Sequence, residues 1–400
     1  MGSTAWNDDG LARLAEVMAR HVDEGDAGGL AWLVARHGQV HAGTAGVLHD
    51  GGAAAVGRDG IFRISSMTKP VTAVAALTLV EECRIRLDDP VQEWLPELAE
   101  PRVLADPAGP LDDTVPAARP ITVRDLLTFR MGAGWDFTTE SPAATDVAAA
   151  EAGLETGPPA PAGPPEPDEW MRRFGAIPLT HQPGTRWLYH TSADVLGVLV
   201  ARAAGRPLGD VLAERIFEPL GMADTGFWVP PGSIDRLGTC HAPDPATGEV
   251  GVYDPPEGQW SRPPAFPGGG AGLVSTLDDF HAFADMLRSG GSRGGQRILS
   301  RPAVEAMTVN HLSPAQLAHG GPDPGGTQGW GFGVGVRLER TGPAQAVGTY
   351  GWDGGLGSSW ANDPVEDVIG ILLTTRTWMS PQPPAVALDF WTATYAAVGD

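Results

Sequence analysis

Lysine is almost missing from this sequence. Lysine and arginine together number 27 in 400 residues, and Lys69 is the only lysine among them. Cysteine is nearly as scarce. Cys83 and Cys240 are the only two, far apart and without CxxC or Cys/His spacing, which argues against a disulfide scaffold and a zinc site. Both read as inert thiols or buried apolar residues. No apolar run is long enough to span a bilayer. The start, Met1 to Asp9, lacks the basic residues and apolar stretch of a secretory leader, and Gly2 is not followed by the small residue that myristoylation needs. Positive charge is short overall: 49 acidic residues give a formal net charge of -22. Such a chain repels phosphate backbones and anionic headgroups, so no nucleic acid and no membrane is expected as a partner, and a cytoplasmic location is. What remains is 42% hydrophobic residues, ample for a large core.

Apolar periodicity orders that core. Leu11, Leu14, Val17, Met18 and Val22 have helical spacing, and residues 30–47 form two runs around a His37-Gly38 turn, which predicts a helix followed by a β-hairpin. A strand-like Ile61–Ile64 leads through Ser65-Ser66 into a long helix over about 67–82, with Pro70 in its first turn. Capping patterns at Thr122/Asp125 and Thr276/Asp279 start further helices, and Leu208, Val211, Leu212 and Ile216 mark another. Alternation at Phe332, Val334, Val336 and Leu338 predicts a strand. Three more are expected over 346–350, 358–362 and 368–374, and then a helix over 385–397. Adjacent strands with short links imply an antiparallel sheet. The expectation is an α+β protein whose antiparallel sheet is flanked by N- and C-terminal helices. Residues 1–62 and 265–400 would form the sheet domain, with a mostly helical domain, 63–264, inserted between them. The Pro/Ala-rich segment 141–167 reads as a long surface loop, either a lid or disordered.

Lys69 gains its meaning from its place. A serine at a helix start has the helix dipole aimed at it, and residue i+3 lies one turn on along the same face. Ser66-Met67-Thr68-Lys69 therefore puts an amine within reach of a hydroxyl. A cationic helix terminus and partial burial would favour the free amine as base, a state arginine effectively cannot reach. The S-x-x-K pattern is short enough to occur by chance, but here a strand precedes it, a helix follows, and the lysine is unique.

Ser66–Lys69 is joined, in order, by Ile121–Leu127, Pro183–Tyr189, Phe217–Met222, Gly269–Thr276 and Gly351–Gly355. With these segments the chain resembles the penicillin-binding-protein and class C β-lactamase superfamily, and most of all its family VIII carboxylesterases. The resemblance implies the β-lactamase/transpeptidase-like fold and an acyl-enzyme on Ser66. It matches Tyr189 to the tyrosine that serves as second acid or base, and Ser66 and Gly355 to the oxyanion-hole amides. A neighbouring ammonium would favour the Tyr189 phenolate. Two positions depart from the pattern. Thr191 stands where the β-lactamases carry an asparagine that helps hold amide substrates. Trp352-Asp353-Gly354 stands where they carry Lys-Thr-Gly, whose lysine meets a substrate carboxylate. Thr191, Trp352, Asp353 and Gly354 are thus assigned to the substrate pocket, and the tryptophan argues for neutral, hydrophobic esters. Trp135, Trp187, Trp330 and Trp360 lie near motif segments without a claimed pocket contact. His190 beside Tyr189 is given no role. The Gly268–Gly270 run lacks the setting of a phosphate loop, and no G-x-S-x-G elbow or metal-ligand cluster is found, so neither cofactor nor metal is expected.

The expected activity is therefore a serine carboxylesterase for small hydrophobic esters. The alternatives are a β-lactamase, D-aminopeptidase or linear-amide hydrolase of the same fold, an acyltransferase, and a non-catalytic binding protein.

Overall fold

Helix α1 (Asp8–Asp23) begins where Asn7 accepts the Gly10 amide, with Asp8 and Asp9 in its first turn and Arg20 and His21 in its last, charges that complement its dipole. It leads into the hairpin of β1 (Gly29–Arg36) and β2 (Gln39–Gly46), closed by His37 and Gly38 with φ of 50° and 78°. The computed structural model describes every residue except 1–4, 50, 51, 53, 140, 141, 155–157, 245, 324 and 400.

After the hairpin the chain leaves the sheet. The segment Ser65–Met67 winds as a 3-10 turn into α2 (Thr68–Glu81), whose residues from Thr68 to Leu79 are all buried. A helix apolar all round belongs inside a core, and α3 (Thr191–Ala204) and α4 (Leu277–Arg288) share that core with it. The chain then returns to the sheet through β3 (Gln328–Trp330), β4 (Gly335–Arg337), β5 (Tyr350–Gly354), β6 (Ser358–Asp363) and β7 (Val368–Thr374), and ends in α5 (Ala385–Ala396). The sheet order is β3-β4-β5-β6-β7-β1-β2, antiparallel throughout.

Strand alternation decides what covers each face. Trp32, Val34, Val368 and Leu372 pack with Leu14 and Met18 of α1 and Phe390 of α5. Leu33, Ala35, Ile369, Ile371 and Leu373 point the other way, into the core with α2 and α4. This is the antiparallel sheet flanked by N- and C-terminal helices that was expected.

Four local expectations change. The strand expected across Phe332–Leu338 is only Gly335–Arg337, because the chain turns at Gly333, with φ of 72°, to pair it with the preceding Gln328–Trp330. The strand expected over 346–350 starts only at Tyr350 and runs to Gly354, which puts Trp352 and Asp353 in mid-strand. The segment 141–167 contains a helix, Ala144–Glu151, started by the Asp146 side chain on the Ala143 amide. Tyr253 donates a hydrogen bond to the Pro159 carbonyl and Gln259 accepts the Ala162 amide; residues 141 and 155–157 lie outside the described ones. Cys240 is buried, but Cys83 is exposed.

Candidate active site

Ser66 sits in the 3-10 turn ahead of α2, and the turn is fixed from three sides. Thr68 Oγ1 donates to the Ser65 carbonyl at 2.6 Å and accepts the Leu273 amide at 3.1 Å. Ser358 Oγ donates to the Ile64 carbonyl at 2.9 Å. Strand β5 comes so close that a Cβ on Gly354 would lie 2.3 Å from the Ile64 oxygen. Glycine is needed there for the strand to approach the nucleophile's turn. Gly354 thus acts through the space it leaves rather than as a pocket wall. Gly355, the next residue, is exposed.

Lys69 is 1% exposed. Its Nζ lies 2.9 Å from Ser66 Oγ, 2.7 Å from the Gly270 carbonyl and 3.1 Å from His190 Nδ1. The Gly268–Gly270 run, which is not a phosphate loop, passes beside α2 and α3: Thr72 Oγ1 donates to the Gly269 carbonyl at 2.8 Å, and the Gly270 amide donates to Asp194 at 2.8 Å.

Tyr189 is clamped by reciprocal backbone hydrogen bonds with Trp135, at 2.8 and 2.9 Å. Its ring stands 4.5 Å from Lys69 Nζ, and its hydroxyl accepts the Trp352 indole N–H at 2.6 Å. Burial pushes the Tyr189 phenol well above its ordinary range, against the opposing pull of hydrogen bonds with Ser66 and Trp352. The charge of Asp353 pushes it the same way, so the direction runs against the phenolate expected from sequence and favours a neutral phenol.

The site is walled with aromatic rings. Phe129, Trp187 and Trp330 are buried behind Tyr189, while Trp135, Phe137 and Trp352 are only partly buried beside it. Trp360 lies elsewhere, against Phe280 and Phe283 of α4. The Asp353 carboxylate makes its contact on the other side of the strand, a departure from its pocket assignment, while its charge still acts on Tyr189. Neighbouring residues on a strand point to opposite faces, so with Trp352 turned to Tyr189 the Asp353 carboxylate meets Ser359 Oγ at 2.6 Å on the sheet's far side. It borders a cavity of about 240 Å³ that Trp352, Arg337 and Trp391 also line. Burial pushes Asp353 up to about 6. Thr191 is half-buried as the first residue of α3.

Sequence reasoning gave no role to His190 and did not single out Asp194. His190 Nε2 is 3.1 Å from Asp194 Oδ2, both side chains are nearly buried, and Trp135 stacks on the imidazole at 4.7 Å. The i,i+4 spacing of the pair was visible in the sequence, but its meeting with Lys69 depends on contacts 121 residues apart.

The chain is similar to known proteins. The Beta-lactamase family model matches residues 14–387. Protein Rv1367c of Mycobacterium tuberculosis is 38% identical over 325 residues, covering 79% of this chain and 77% of its own. Esterase EstB of Burkholderia gladioli is 31% identical over 392 residues, covering 93% and 92%. The solved structure of EstCE1, described as a hydrolase with promiscuous acyltransferase activity, superposes with a TM-score of 0.80 at 26% identity, covering 97% of this chain and 99% of its own.

Proposed function

Because this chain belongs to the Beta-lactamase family and is a serine hydrolase of that fold, we propose that it is a carboxylesterase for small hydrophobic esters, working through an acyl-enzyme on Ser66. The observation that carries this reading is the 2.9 Å contact between Ser66 Oγ and the buried Lys69 Nζ.

In acylation, Lys69 Nζ takes the Ser66 proton as Oγ bonds to the ester carbonyl carbon. The carbonyl π pair moves onto oxygen, which faces the amides of Ser66 and Gly355. Collapse of the tetrahedral intermediate breaks the bond to the alcohol oxygen. That oxygen takes the Tyr189 proton, and the proton on Lys69 passes to the phenolate left behind. The Trp352 N–H and the Lys69 ammonium stabilise this transient phenolate, which is why a neutral resting phenol suits a proton donor. Water then attacks the acyl carbon by the same steps in reverse.

Neutral, apolar substrates follow from the walls. Lys69 is the sole lysine and is occupied beside Ser66, so no lysine remains to meet a substrate carboxylate. Trp352 presents an indole face in that place, with Trp135 and Phe137 nearby. The amide-directed alternatives are tested beside the main reading: p-nitrophenyl esters of two to eight carbons against a chromogenic cephalosporin. Ester turnover well above cephalosporin turnover supports the esterase; the reverse order overturns it. Adding a simple alcohol and analysing products by mass spectrometry separates hydrolysis from acyl transfer, which the EstCE1 description makes worth measuring.

A further inference from the structure

His190 stands in a backbone conformation that residues with a Cβ seldom adopt. Its φ and ψ are 78° and -71°, and across it the Thr191 amide donates to the Tyr189 carbonyl at 3.1 Å. This is the rare, strained form of γ-turn. Strain of this kind persists only where the surroundings impose it, commonly at functional sites. The turn sets the imidazole between Lys69 and Asp194, beneath Trp135.

Its partners decide which nitrogen holds the proton. Burial pushes the Asp194 carboxyl up, but the pull of His190, Lys69 and the Gly270 amide leaves it below the ordinary carboxylate range. Asp194 is therefore ionised and can only accept. One oxygen takes the Gly270 N–H at 2.8 Å, and the other faces His190 Nε2 at 3.1 Å. Burial above all, joined by the Lys69 charge while that amine is protonated, holds His190 below its usual value, so the ring is the neutral member of the pair. Nε2 then carries the hydrogen and Nδ1 a lone pair. A neutral amine has two hydrogens and one lone pair. In the base form its two hydrogens go to the Gly270 carbonyl and His190 Nδ1, at 2.7 and 3.1 Å, and the lone pair turns to the Ser66 hydroxyl at 2.9 Å; as the ammonium, Lys69 donates to all three.

We infer that His190 is a positioning residue for the general base: fixed as an acceptor by Asp194, its Nδ1 turns the Lys69 lone pair onto Ser66, while its ring keeps the Asp194 carboxylate from pairing directly with Lys69. The inference rests on the reading of Lys69 as the base. The titratable groups facing this assembly are Lys69 and Ser66 on the α2 side, and Tyr189 and Asp194 on the α3 side. Gly268–Gly270 and Trp135 bring no charge.

The test is the pH dependence of kcat/KM for p-nitrophenyl acetate in the whole enzyme and in H190A, H190N and D194N. In H190A the Asp194 carboxylate acts directly on Lys69 and favours the ammonium. The acid limb should move up by about one pH unit, with activity recovering at alkaline pH. Asparagine tolerates positive φ and offers an amide oxygen near the place of Nδ1. H190N should therefore bring the limb most of the way back. D194N removes the negative charge and should move the limb toward acid. An H190A limb that stays put while the rate drops equally at every pH would mean a merely structural role and overturn the inference. If H190A does not fold by circular dichroism, an unmoved limb in D194N overturns it instead. Failure of the underlying reading looks different: the parent enzyme would turn over no ester, or K69R would keep its full rate.

Discussion

Replacing Tyr189 by phenylalanine removes one oxygen from the centre of the site and little else. The ring keeps its neighbours, with Phe137 at 4.9 Å and Trp135 at 5.9 Å between centroids, so the fold should hold. The lost hydroxyl is the proton donor to the departing alcohol, and it lies 2.6 Å from the Trp352 indole nitrogen that steadies the phenolate. A positioned general acid contributes on the order of 10²–10⁴-fold. That full loss is expected for an ethyl ester, whose alkoxide cannot leave unprotonated. A p-nitrophenyl ester of the same acid needs no such help, because nitrophenolate is a good leaving group. The assay is kcat/KM for the two esters in parent and Y189F, a ratio that reports the steps through acylation. Y189F should lose far more on the ethyl ester than on the nitrophenyl ester. Equal losses on both would refute the assignment of Tyr189 as the acid.

Other substitutions probe the surroundings. W352F keeps an aromatic wall but loses the N–H on Tyr189; it should lower kcat for alkyl esters roughly ten- to a hundredfold, the scale of a hydrogen bond to a charged group, with little change in KM in steady-state assays. G354A would put a Cβ 2.3 Å from the Ile64 oxygen; it should cost about 1–3 kcal/mol in denaturant unfolding and displace the strand beside Ser66, lowering esterase activity. Asp353 binds its proton more tightly folded than unfolded, since burial raises it to about 6 from 3.8. Its ionisation therefore weakens the fold as pH rises through roughly 4 to 6. D353N should be more stable than the parent by about 1–3 kcal/mol at pH 8, with the gain vanishing near pH 4 in thermal melts.

The parts legible in the sequence were those written in local spacing. Ser66 and Lys69 are one helical turn apart, so helix geometry alone brings them together, and the continuous apolar runs of Leu30–Ala35 and Val368–Thr374 marked the central strands. The parts that failed depend on burial or on the backbone. Nothing local reveals that Tyr189 is desolvated enough to stay a phenol. A glycine or asparagine at position 190 would have signalled a positive φ, but a histidine does not, so the strained turn was hidden. Strand alternation could have separated Trp352 from Asp353, had the strand been placed at Tyr350–Gly354 rather than over 346–350. The break at Gly333 was obscured by a regular apolar pattern across it.

The most direct measurement is intact-mass and peptide mapping of the protein quenched during turnover of a slow p-nitrophenyl ester, in the parent and in K69R. One acyl group on Ser66 in the parent, and none at the same time point in K69R, is the predicted result. An adduct on another residue, or equal acylation of Ser66 without the lysine amine, would contradict it.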